Sequence, residues 1–232
     1  LDNTFYRNVT SVSSSGSNLR LNGAVVLTGA STIDANNDAI SFTSTVNGNS
    51  SGRNLTVDSG TANTTFSGNV GGSTALADIS VTGAVIDAAA LAASGDITYT
   101  NSGSSTISGS ISASSFTKAG SGQLTFKPSD ASGDITLSAG STVLSAASAM
   151  NNLSGSANIN TDGNNLELNN TSTTTYSGVL SGSGNITKSG TGRINLSGTN
   201  TYSGTTTISD GTLGITSAGK IGNGSYSGTL SN

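Results

Sequence analysis

Few residues in this chain could do chemistry, and their spacing says more than their number. Asp34 and Asp58 stand one repeat of roughly 24 residues apart, each directly after an apolar residue, Ile33 and Val57. In a chain coiled with that period the two carboxylates would lie on adjacent coils, about 5 Å apart. Carboxylates at that range can act as acid and base on a glycosidic bond, or bind calcium with further oxygen ligands. The simpler reading makes them turn residues that follow an inward strand, a place Asp favours. Asp78 and Asp87 fall outside the column, and no D-x-D-x-D-G calcium loop occurs. The chain has no His and no Cys, which removes imidazole-based nucleophilic catalysis, disulfides, and thiolate or imidazole metal ligands. No catalytic residue, metal site or cofactor is assigned.

Two further sets recur. Lys118 and Lys188 hold the same place in a repeated phrase, which suggests a solvent-facing strand position rather than a catalytic pair. Tyr176, Tyr202 and Tyr226 each open a Tyr-Ser-Gly, at nearly equal spacings. Such a column could stack on sugar rings. More often such a recurrence is a packing ladder with its hydroxyls at corners. The threonine runs at residues 173–175 and 205–207 resemble pieces of a flat ice-binding array. Those arrays need one face repeated over many coils, and these runs do not repeat that way.

Composition says what kind of element must carry these residues. Charged residues make up only 9 % of the 232, with a single proline, Pro128. Disordered chains of similar polarity are usually rich in charge and proline. Leu, Ile, Val and Phe together supply about a fifth of the chain, near the lower limit for a packed core. A narrow continuous core fits that supply better than a round one. The net charge of −4 and four scattered Arg and four scattered Lys argue against nucleic acid, which needs clustered cations. No apolar run approaches the roughly 20 residues of a membrane span, and no signal-like segment opens the chain. Because it begins at Leu1, the chain reads as a processed or excised segment.

The period is countable. FTSTVNGNSSGRNLTVDSG, residues 42–60, aligns without gaps on FSGNVGGSTALADISVTGA, residues 66–84. Phe42 then matches Phe66, Val46 matches Val70, Leu55 matches Ile79 and Val57 matches Val81, each by the same step. A longer phrase at residues 186–215 repeats one at residues 116–144. Periods of this size mean stacked units too small to bury their own apolar faces. Within each unit, apolar and polar residues alternate at period two, as at Leu124/Phe126, Leu166/Leu168 and Ile194/Leu196, which is the signature of half-buried strands. Glycine at this density is costly in helices and suits corners. Two Ala-rich stretches, residues 84–93 and 145–153, stand out as places for a short helical turn. The expected fold is all-β, a parallel β-solenoid of about 24 residues per coil. It spans residues 21–232, with residues 1–20 as an N-terminal cap strand or a docking arm. A β-sandwich is disfavoured because it has no reason to repeat equivalent residues at equal intervals.

Residues 175–213 also resemble a known family. Ser181-Gly182-Ser183-Gly184-Asn185-Ile186-Thr187-Lys188, Gly198-Thr199-Asn200-Thr201-Tyr202-Ser203-Gly204 and Asp210-Gly211-Thr212-Leu213 follow the pattern SGxGxLTKxGxGxLxLxGxNTYSGxTTVxxGTL. That pattern is the autotransporter-associated β-strand repeat, found in passengers of bacterial surface proteins. The likeness is degenerate over residues 106–144, where Lys127-Pro128-Ser129-Asp130 replaces Gly-x-Asn-Thr. Residues 33–84 instead resemble the repeats of filamentous-haemagglutinin-like adhesins. The resemblance implies a right-handed parallel β-helix outside the cell, in adhesion, biofilm or surface-layer roles. Signal peptide and outer-membrane barrel are not in this sequence, which stops as another repeat starts at Tyr226. Three roles follow as expectations. The first is a structural or adhesive stalk within a longer chain, with a host-surface or polysaccharide ligand. The second is a fibre subunit that self-associates through Phe5, Tyr6, Arg7, Tyr226 and Leu230. The third is a polysaccharide-acting enzyme built on Asp34 and Asp58.

Overall fold

Alternation at period two turns Ile33, Val57 and Val81 inward and leaves Thr32, Thr56 and Ser80 outward. A strand only half apolar buries one face and needs neighbours above and below to satisfy its backbone. In the computed structural model, which describes residues 5–7, 11–14, 16–127, 133–216, 219–221 and 230–231, those neighbours are the preceding and following coils. Every strand pair is parallel and no helix is present among the described residues, so the chain is a β-solenoid of about 10 turns. Its spine is a long sheet with a path of twelve strands, flanked by a nine-stranded sheet and a shorter third side.

The register confirms the sequence alignment residue by residue. Ile33 pairs with Val57 and Asp34 with Asp58, Leu55 with Ile79 and Val57 with Val81. Phe42 pairs with Phe66, their rings stacked at 4.6 Å and 9°. Val46 and Val70 form a bridge on the third side. Each stacked aromatic pair adds about 0.5–1.5 kcal/mol beyond the area it buries.

The coil length departs from expectation, at about 20 residues per turn over the whole stack. The step from Val57 to Val81 keeps the expected length, but those that pair Ile79 with Ile97, Ile97 with Phe116 and Leu166 with Ile186 are all shorter. The early coils carry a full third side through Val25–Leu27 and Val46–Gly48. Later that side shrinks to the two-residue strands Leu91–Ala92 and Ile111–Ser112, so a coil closes on fewer residues. The expected helical turns are also absent. Residues 84–93 contain the strands Ile86–Ala88 and Leu91–Ala92, and residues 145–153 run into the strand Ser148–Gly155. Stretches this short fall below the length at which a helix sustains itself, whereas adjacent coils offer every backbone group a partner.

Ser148–Gly155 is where the long sheet forks. Its first half pairs with Leu166–Asn169 and its last residue with Tyr176, after a register slip against Asp134–Leu137. Left-handed backbone at Asn152 and Gly155, φ of 42° and 114°, bends the strand between its two partners. One consequence is that the two copies of the long phrase do not stack alike. Gln123–Phe126 of the first lies in the nine-stranded sheet, and Arg193–Leu196 of the second lies in the forked branch.

Candidate functional site

Lys118 and Lys188, expected to face solvent, point inward and are fully buried. Lys118 continues an interior column between Tyr99 and Leu137, its direct register partners. Its Nζ donates to the carbonyls of Gly120 and Gly122, both at 2.7 Å, and of Ala139 on the next coil at 2.8 Å. Lys188 repeats this: Nζ donates to the carbonyls of Ser189, of Gly190 at 2.6 Å, and of Asp210 on the next coil at 3.3 Å. An ammonium has three donors and no acceptor, so three converging carbonyls saturate it. Burial pulls Lys118 down to about 8. Burial also lowers Lys188, with the Asp210 charge opposing it.

The corner chain must be shaped for this. Gly120 and Gly190 have φ of 78° and 74°, and Gly140 and Gly211 on the following coils have 73° and 68°. A Cβ on Gly140 would come 2.6 Å from Lys118 Nζ, and one on Gly211 2.9 Å from Lys188 Nζ. Glycine is required at the latter pair by both conformation and space. The alternation itself shows why the sequence reading missed these lysines. Lys118 and Lys188 lie two residues after the inward Phe116 and Ile186, so period two places them inside, and only their charge argued otherwise.

Other corners use neutral polar groups. Asn101 Nδ2 donates to the Gly103 and Gln123 carbonyls at 2.6 and 2.8 Å. Asn200 Oδ1 accepts from Leu180 N at 2.9 Å, while its Nδ2 donates to the Gly198 and Lys220 carbonyls at 3.0 Å. Tyr176 and Tyr202 are buried as well. Tyr176 donates its hydroxyl to the Ala157 carbonyl, and Tyr202 bonds Thr206 Oγ1 at 2.7 Å. Burial raises the Tyr176 hydroxyl pKa far above its ordinary value. Tyr176 stacks on Leu196 rather than on another tyrosine. The glycan-stacking column is therefore corrected at these two positions: a buried ring has no face to present to a sugar. Tyr226 lies outside the described residues.

Asp34 and Asp58 do sit on adjacent coils in direct register. Asp34 Oδ1 accepts from Asn36 N and Asp58 Oδ1 from Gly60 N, each at 2.7 Å, which is the geometry of turn-forming aspartates. Among the described residues no three acidic side chains converge as metal ligands. The backbone of Phe5–Arg7 pairs in parallel with Val25–Leu27, and that of Leu230–Ser231 with Thr206 and Thr207. The side chains of these terminal strands lie outside the described residues.

The lysine corners coincide with a family match. The model of the passenger-associated-transport-repeat fits residues 116–146 and 186–215. The chain carries two passenger-associated-transport repeats. In each the lysine is the third residue, and the repeat extends beyond the next-coil carbonyl that the lysine holds, at Ala139 or Asp210. The repeat thus encodes one closed corner and the floor on which the next coil rests. Comparison with curated proteins and with solved structures gave no match.

Proposed function

We propose that this chain is an extracellular structural β-solenoid, a stalk or adhesin segment within an autotransporter-like surface protein, with no catalytic role. The observation that carries this reading is the placement of the two passenger-associated-transport repeats inside one continuous parallel stack. In them the lysine ammoniums are consumed by corners, and Tyr176 and Tyr202 are buried in the same stack. What the solenoid exposes is mostly hydroxyl, amide and scattered carboxylate, a surface suited to extending from a cell rather than to turnover. Asp34 and Asp58 each spend one carboxylate oxygen on a turn, which favours the structural reading over the enzyme reading. Antibody raised against the folded chain should label intact producing cells, and brief external proteolysis should remove the label. Labelling only after permeabilisation would overturn the proposal.

A second reading is a fibre subunit stacking end to end. The terminal strands Phe5–Arg7 and Leu230–Ser231 each pair on one side only among the described residues, and such edges template further strands.

A further inference from the structure

We infer that Asn22 is a self-modification site, at which the chain converts its own carboxamide to a carboxylate. Asn-Gly occurs at residues 22–23, 47–48 and 223–224, the last outside the described residues. The reaction is intramolecular. The Gly23 amide nitrogen bonds to Asn22 Cγ, the Cγ–Nδ2 bond breaks, and ammonia leaves with the proton that the Gly23 nitrogen gives up. Water then opens the resulting succinimide at either carbonyl, which leaves aspartate, or isoaspartate with the main chain rerouted through the side chain. Ring closure between covalent neighbours needs no encounter, only freedom to turn, and glycine brings no Cβ to hinder it.

The surroundings of Asn22 fit that chemistry. It is exposed, in the corner between the strands Leu19–Leu21 and Val25–Leu27. Arg20 Nε donates to Asn22 Oδ1 at 2.7 Å, so a cation sits on the oxygen that gains negative charge as the nitrogen adds. The Gly23 N–H, whose proton must leave, donates to Thr43 Oγ1 at 3.2 Å, and that hydroxyl donates in turn to the Leu21 carbonyl at 3.2 Å. Among the described residues Leu19–Leu21 is the terminal strand of its sheet, paired only with Ile40–Phe42, so the corner opens against one neighbour. Asn47 and Gly48 form the same dipeptide in the opposite setting. They lie inside the strand Val46–Gly48, in register with Val26 and Leu27, and Gly48 is buried. Asn47 Oδ1 accepts from Ser73 N on the next coil at 3.0 Å, and the Gly71 N–H holds the Val46 carbonyl at 2.7 Å. Turning Asn47 into a ring would break this register on both sides.

The product has a structural consequence. A carboxylate at residue 22 replaces a neutral acceptor on the Arg20 guanidinium with a charged one, and adds one negative charge to a chain of net −4. Isoaspartate lengthens the main chain between Leu21 and Val25, both buried. The first coil should then loosen while later coils, which rest on their own neighbours, keep their register.

The test is peptide mapping by mass spectrometry of the purified chain incubated at mildly alkaline pH, both folded and in denaturant, with isoaspartate counted by enzymatic methylation. In the folded chain Asn22 should convert at least about tenfold faster than Asn47, and in denaturant the two should convert at similar rates. Arg20→Met, at an exposed position, should slow Asn22 in the folded chain by about tenfold and leave its rate in denaturant unchanged. Circular dichroism checks that the variant retains its strands; should it unfold, the native ratio of Asn22 to Asn47, folded against denatured, still decides. An Asn22 that stays intact in the folded chain, equal folded rates at Asn22 and Asn47, or an unchanged rate in folded Arg20→Met would each overturn the assignment.

Discussion

An ammonium group sealed under a backbone corner is stable only while every proton finds an acceptor, because a buried unpaired donor or carbonyl costs about 1–3 kcal/mol. Lys118 meets that condition with three carbonyls, two from its own corner and one from the coil above. Lys118→Met fills the space and abandons all three, so it should lower the unfolding free energy by about 2–4 kcal/mol in denaturant titration. The native chain carries a matching pH signature. Folded Lys118 titrates at about 8 against an ordinary value of 10.5, so across that window the unfolded chain binds the proton and the folded chain does not. Stability should then rise as pH climbs from about 8 to 10.5, by up to roughly 3 kcal/mol, and burial of Lys188 pushes the same way. Lys118→Met should flatten the rise; a native profile that stays level or falls would contradict the downward shift of Lys118. The lysines were visible in the sequence as equivalent residues, and their inward phase was legible from period two. What hid their role was the rule that lone charges face water, which holds only where the backbone supplies no alternative solvation.

At the scale of elements, the strand Ser148–Gly155 decides how the second half of the chain stacks on the first. Its bend depends on Gly155, whose added Cβ would come 2.1 Å from the Leu137 carbonyl oxygen at a φ of 114°. Gly155→Ala should cost more than about 1 kcal/mol. The loss should be local, with faster hydrogen exchange at the Ser156 and Ala157 amides, both of which donate to the Leu137 carbonyl. Unchanged protection at those two amides would show that the fork tolerates a side chain. The sequence made the strands readable through alternation, and the early register through the gap-free match of residues 42–60 on 66–84. It did not make the fork readable, because a one-residue slip changes no residue type. The outward column Thr32, Thr56, Ser80, Thr98, Thr117 and Thr136 was hidden for a related reason. Its steps are uneven, long from Thr32 to Thr56 and from Thr56 to Ser80, then shorter from Ser80 through Thr98 and Thr117 to Thr136. No fixed period collects its members.

At the scale of the whole molecule, the chain is quasi-one-dimensional: each coil contacts mainly its neighbours, and the narrow core is a set of parallel columns rather than a centre. A path of twelve strands gives a rod on the order of 50 Å long. Electron microscopy of the purified chain therefore separates the two structural readings. A stalk segment should remain as discrete short rods after prolonged incubation, whereas a fibre subunit should yield filaments that lengthen with concentration.

By itself, the sequence determined the fold class, the inward apolar residues and the repeat phrase, because period-two alternation and glycine at corners leave a chain poor in apolar residues few ways to bury them. Tertiary structure alone decided coil length, the fork, the solvation of the lysines and the members of each outward column. Each of these depends on which residue of one coil lies against which residue of the next. That register is set by corners that close a turn of about 20 residues, a distance at which local sequence exerts no steric control.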